Sequence, residues 1–304
     1  MDAGEEEAGK PGGIRPRSHG ANHIAGSVMI DIRSCVGLDE MEACVRLQIE
    51  IWGYDESDVV PRKTFLLAQK IGGQVMGAFD SELVDSAEET RAKTLVGFAM
   101  SLPGIKKTAK RPQLYLHSHM LAVRRSHRNR GIGAQLKWEQ RREALSRGIR
   151  RIEWTFDPLA IKNAFLNIHR LGAISRTYLV DFYGVSSSRL QGGLPTDRLL
   201  AEWELDSPRV EAILARRPAA VRRIEESILV PSPIDQWKAS EASRARALAV
   251  QLENRRKLQE AFSRGLAILG FSCDAEGNGV YELGSLAHED SSPGSGVTKE
   301  NTTL

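Results

Sequence analysis

The chain is 304 residues long and carries 42 Lys and Arg against 39 Asp and Glu, a net charge of +3 and a pI of about 8.8. Charged residues make up 27% and hydrophobic residues 41%, the balance of a globular protein of one or two domains. A surplus this small does not argue for nucleic acid, the three scattered cysteines exclude a disulfide framework, and no apolar run reaches the ~20 residues of a membrane helix.

Residues 1–27 are rich in Gly, Glu, Arg and Pro, and residues 287–304 in Ser, Gly and Thr. Both are expected to be disordered tails, because neither can bury enough apolar area to offset the entropy of ordering. The N-terminus has Glu5, Glu6 and Glu7 and no apolar stretch of a secretory signal. With Cys35, Cys44 and Cys273 suited to a reducing compartment, a cytoplasmic location is expected.

A strand is predicted over 28–35. A helix follows over about 38–52, with Met41, Val45 and Ile49 on one face, then a short helix near 64–71. Residues 74–79 and 94–102 read as a strand pair joined by an exposed acidic loop. Residues 114–123 are a strand, followed by a charged turn over 124–130, Gly131-Ile132-Gly133, and a helix that Gly148 closes. Residues 149–156 form a strand with Ile152, Trp154 and Phe156 to one face. Asp157-Pro158 is a helix start, an N-cap carboxylate followed by Pro at N1, and Gly172 ends that helix. Two strands fit 174–182 and 199–205. After Asp206 the texture changes: residues 207–270 are basic and helical, with 10 Arg and 2 Lys against 7 acidic residues, and a short strand over 280–283 ends the ordered part. The main domain is therefore placed at 28–206 and a mainly helical extension at 207–286. The extension is expected to pack on the main domain, shaping an acceptor site or a homodimer interface. Its Arg pairs read as solvated helix faces, since no aromatic residues interleave them for nucleic-acid contact. Trp52, Trp138 and Trp203 read as packing residues, and Cys273 as a small buried apolar one.

The chemistry concentrates at the strand, charged turn, Gly-x-Gly and helix N-terminus. The first turn of a helix has free N–H groups and the positive end of the dipole, and glycines let an anion approach the backbone. Arg124, Arg125, Arg128 and Arg130 surround it with positive charge. A dinucleotide-binding turn would want a third glycine where Leu136 stands, although Glu153 sits near the position of a ribose-binding acid.

The run from Val123 to Ala134 closely resembles the acetyl-CoA-binding motif of the GNAT acetyltransferases, with Arg128-x-x-Gly131-x-Gly133 as its core. The resemblance extends over about 28–205. Through Trp154 to Leu159, Asn163-Ala164, Arg170 to Ala173 and Gly193 to Leu199 it is also similar to a bacterial subgroup with no assigned acceptor. It implies an α+β GNAT fold: a mixed central sheet flanked by helices, here with the C-terminal extension. It implies acetyl-CoA as cosubstrate, no metal, and transfer of an acyl group to an amine, with a small-molecule acceptor favoured over a protein. Arg128, Asn129, Arg130, Gly131, Ile132, Gly133 and Ala134 would hold the pyrophosphate, and Leu121 and Val123 would pair with the pantetheine arm. Asn163 would be a further cofactor contact.

Two histidines precede the motif. His117 and His119 are two apart on one strand, so both point to one face. This run resembles serotonin N-acetyltransferase, in which paired histidines serve as the base through water. The plainer reading is two half-buried histidines hydrogen-bonded in a sheet. The family's usual acid is a Tyr at the position of Ile168. Its absence leaves Tyr178, Tyr183 or water to protonate the thiolate. The same absence is the main support for a second reading, a CoA-binding sensor or partner-binding protein without chemistry.

Overall fold

The computed structural model describes residues 30–83, 94–107, 112–188, 190–217 and 223–286. The two tails and most of the acidic loop lie outside the described residues. The main domain runs β1 (Ile30–Ser34), α1 (Gly37–Trp52), α2 (Arg62–Lys70), β2 (Gln74–Asp80), β3 (Leu95–Lys106), β4 (Gln113–Val123), α3 (Ile132–Ser146), β5 (Arg151–Phe156), α4 (Ile161–Ala164), β6 (Tyr178–Leu179) and β7 (Arg198–Glu204). A π-helical turn, Phe165–Arg170, continues α4. The extension adds α5 (Pro208–Leu214), β8 (Glu226–Val230), α6 (Ile234–Ala239), α7 (Glu241–Ser263), β9 (Leu266–Cys273) and β10 (Gly279–Ser285).

The main sheet has seven strands in the order β1-β2-β3-β4-β5-β7-β6. It is mixed: β4 and β5 are parallel and the other neighbours antiparallel. One face carries α1 and α2 over Met41, Leu47, Phe65, Phe98, Met120 and Ala122. The other carries α3, whose Ile132 and Leu136 pack on Met76, Val96 and Ala99. Within α1 the buried side is Met41, Cys44, Leu47 and Gln48, while Ile49 is 45% exposed, so the inward stripe is rotated from the predicted one.

Gly148 and Gly172 stand at φ 75° and 78° where the sequence placed helix ends. The helix after β5 begins later than Asp157-Pro158 predicts. Asp157 Oδ1 accepts the Leu159 N–H at 2.8 Å and its Oδ2 accepts from Lys238 Nζ, so the carboxylate organises a turn rather than a helix cap. The predicted strand over 174–182 shrinks to Tyr178–Leu179 plus a bridge from Ile174 to Glu202.

Helices account for most of the structured residues of the extension, which also holds an antiparallel sheet, β8-β10-β9. Of its strands only β10 was anticipated. Phe271, Tyr281, Leu258 and Ala261 share one core with Trp154, Ile168 and Trp203 of the main domain. Backbone bonds between Ser175 and Ile268, at 2.7 and 3.3 Å, tie the two parts together. Cys273 is exposed, against expectation, whereas Cys35 and Cys44 are buried with sulfurs 4.0 Å apart. No helix of the described residues is long and apolar enough to cross a membrane.

Candidate functional site

The register between β3 and β4 shifts once: Met100 pairs with Met120, but Ser101 pairs with Ser118. His119 is the extra residue of this bulge. A bulge bends its strand and re-aims side chains. Leu116 and Ser118 turn toward α3 before it, and Leu121 and Val123 do so after it, while Met120 and Ala122 turn toward α1 and α2. Among the described residues β4 and β5 pair only at Leu116–Ile152 and His117–Glu153. Beyond these pairs the strands splay and leave the β5-facing edge of β4 open from Ser118 onward.

A cleft of about 700 Å³ occupies the splay. Its inner wall is built from Ser118, His119, Leu121, Lys137, Trp154 and Asn167. Its mouth carries Trp52 and Tyr54, stacked at 5.5 Å, facing Tyr183 and Val185 of the loop before β7. Asp235 and Lys238 of α6 close one side, so the extension forms part of the wall. Trp52 is thus a cleft residue as well as a packing one.

The glycine turn borders this cleft. Gly131 is the N-cap of α3 at φ 80°, ψ 0°, and no side chain caps the helix. Asn129 also adopts positive φ, 62°. A Cβ on Gly133 would stand 3.8 Å from Leu121 and Leu166, both cleft residues, which is ordinary contact. Arg128 folds back so that its Nε donates to Val123 O at 3.1 Å, and Arg125, Asn129 and Arg130 are exposed. Arg124 pairs with Glu50 at 3.3 Å. His127 anchors the turn from within: it is buried, 3.0 Å from Asp80 Oδ2 and 2.8 Å from Ser126 Oγ. Nothing local in the sequence marks His127 for that role, because Asp80 lies far away in the chain. Asn163 lines the cleft from α4.

His117 and His119 lie side by side, ring centroids 6.4 Å apart, but only His119 lines the cleft. Burial pushes the His119 pKa below its ordinary 6.5. Burial first, then the neighbouring His119, push His117 down as well, against the raising effect of Glu153. Both imidazoles are therefore neutral at pH 7.

Tyr178 is not in the cleft. Its hydroxyl donates to Asp197 Oδ2 at 2.7 Å, and Arg255 of α7 clamps the same carboxylate at 2.8 and 3.0 Å. Burial and the Asp197 carboxylate hold this phenol far above its usual range. Ile168 is fully buried core. The phenol that the cleft does present from this region is Tyr183, 2.9 Å from Thr155 Oγ1. Among the described residues no group of His, Cys, Asp and Glu could hold a metal ion.

Residues 48–165 match the model of the acetyltransferase (GNAT) family. That stretch is a GNAT acetyltransferase domain. The match spans the end of α1, both splayed strands, the glycine turn and α3. Solved structures with a similar GNAT core include Arabidopsis thaliana NAA60 in complex with a bisubstrate analogue, at 17% identity and TM-score 0.45, over 58% of this chain and 97% of that one. The same protein in complex with acetyl-CoA aligns at 16% identity and TM-score 0.44, over 58% and 99%. Aminoglycoside 6'-acetyltransferase type Ii aligns at 17% and 0.43, over 58% and 98%. No curated protein sequence matches the chain.

Proposed function

We propose that the chain is an acetyl-CoA-dependent N-acyltransferase that passes an acetyl group directly to the amine of a small molecule. The observation that carries this reading is the position of His119, a neutral imidazole at the bulge, inside the cleft that the splayed strands of a GNAT domain open. Acetyl-CoA, when bound, supplies the acyl group as an activated thioester. The residues present fit it. The uncapped N-terminus of α3 offers backbone N–H groups and a positive dipole end to a pyrophosphate. Arg130, Asn129 and Arg125 add exposed polar and cationic groups beside it. Gly133 is not demanded by the protein's own packing, since a Cβ there meets only ordinary contacts; the bare backbone serves a close approach from outside. The open edge of β4 at Leu121 and Val123 suits an extended amide-bearing arm, with Asn163 on the opposite wall.

The protein's chemical task is then proton management. A primary amine is mostly protonated near pH 7 and must lose a proton before it attacks. His119 takes that proton, directly or through one water, and His117 behind it shares the charge. Tyr183 at the mouth is the hydroxyl placed to return a proton to the leaving thiolate. Aromatic Trp52, Tyr54 and Tyr183 give the acceptor an apolar entrance. Initial-rate measurements of thiol release against both acetyl-CoA and a panel of amines test the reading: intersecting double-reciprocal lines support direct transfer, and parallel lines or the absence of amine-dependent release contradict it.

A further inference from the structure

Lys137 is a cleft residue with no part in the proton transfer or cofactor contacts proposed above. It lies in α3, is 1% exposed, and its Nζ has no hydrogen-bond partner among the described residues. The amine sits 3.6 Å over the ring of Trp154, and both residues line the cleft. A buried, unpartnered amine is costly, and a folded protein retains one where something else satisfies it. Desolvation drives the amine well below its ordinary pKa, toward the uncharged form. A neutral amine over an indole face suits a neutral oxygen acceptor, such as a carbonyl, better than a carboxylate, which would draw it back to the cation.

Its place along the helix narrows the ligand atom. Lys137 follows Gly133 by one turn of α3, about 6 Å further from the anion end. The Ser118 hydroxyl donates to Gln140 Oε1 at 3.1 Å, so the bulge of β4 lies over this stretch of α3. The amine is therefore level with the bulge that carries His119, where the reacting group must lie, and away from the glycine turn. We infer that Lys137 Nζ donates a hydrogen bond to the thioester carbonyl oxygen of the bound acyl donor, from the floor of the splay between β4 and β5. This rests on the acyltransferase reading. It makes the cleft discriminate an acyl-CoA from CoA, whose free thiol has no such oxygen.

Calorimetric titration of the full chain with acetyl-CoA and separately with CoA tests it, using wild type, Lys137→Met and Lys137→Gln, with melting temperatures of the ligand-free proteins alongside. Lys137→Met is expected to weaken acetyl-CoA about tenfold, about 1.4 kcal/mol, to leave CoA within about twofold, and not to lower the ligand-free melting temperature. Lys137→Gln, which keeps a donor, is expected to recover part of the preference. Unchanged affinity for both ligands, or equal weakening of both, would overturn the inference. So would a lower melting temperature with the acetyl-CoA preference intact, or intact mass showing Lys137 acetylated, since the amine would then be a packing group or a nucleophile. Wild-type protein that binds neither ligand would overturn the acyltransferase reading itself and this inference with it.

Discussion

Tyr281 of β10 donates its buried hydroxyl to the main-chain carbonyl of Pro158, 2.8 Å away. That bond runs from the last strand of the extension to the turn at the end of β5, on the edge of the cleft. With Lys238 on Asp157, it fixes the turn that precedes α4. Tyr281→Phe would leave the carbonyl unpartnered and is expected to cost about 1–2 kcal/mol, read as a lower melting temperature. Truncation after Leu205 would strip Phe271, Tyr281 and Leu258 from the shared core and is expected to abolish the cooperative melt. A truncated chain with the original melting temperature and KM would show that the extension is independent of the site.

Gly133→Val should weaken CoA binding at least tenfold, about 1.4 kcal/mol, without loss of secondary structure by circular dichroism. Gly133→Ala is the cleaner companion. Its methyl meets only ordinary contacts, and alanine is the better helix former, so the ligand-free protein should be no less stable. Affinity falling while the melting temperature holds would locate the anion at this turn. Unchanged affinity in both variants would remove it from there.

The two histidines should not be equivalent. His119 lines the cleft and His117 does not, so His119→Gln is expected to cost about 10²-fold in kcat/KM. His117→Gln should cost severalfold. Burial lowers both pKa values in the folded state, so each imidazole stays neutral down to a pH below 6.5. The acidic limb of the rate profile should therefore fall below that value and vanish in the double variant. Stability carries the same sign. The unfolded chain takes up protons first, so folding free energy is full above about pH 6.5 and is lost as pH falls toward the folded pKa values. A double variant that keeps the limb would mean that the base lies elsewhere.

Tyr178 and Tyr183 separate structure from chemistry. Tyr178→Phe removes one of several donors to Asp197 and is expected to cost about 1 kcal/mol of stability with kcat unchanged. Tyr183→Phe is expected to lower kcat with stability nearly unchanged. The reverse pattern would contradict the assignment of the cleft.

The parts that could be read from the sequence were those in which local chemistry decides. Gly131, Gly148 and Gly172 ended or capped elements where expected because each stands at positive φ, which no other residue adopts as cheaply. The two histidines were visible through the period of a strand. What depended on distant partners was not. Asp157 looks like a helix cap until Lys238 and Tyr281 arrive from the extension. Tyr178 looks available until Asp197 and Arg255 claim it. The strand β9 hides in a basic, helix-rich stretch. The bulge at His119 has no local mark, because it is a property of the pairing with β3. Lys137 did leave a trace: it shares the inward stripe of α3 with Leu136, Gln140 and Ala144, and a lysine on such a stripe is itself the signal.

The proposed acyl transfer to an amine in the cleft between β4 and β5 is tested most directly by thiol release from acetyl-CoA across an amine library, run at high protein concentration with wild type and the His117/His119 double variant. Release that requires an amine and falls about 10²–10³-fold in the double variant is expected. Protein that binds acetyl-CoA tightly yet releases no thiol with any amine would contradict it and establish a CoA-binding sensor in its place.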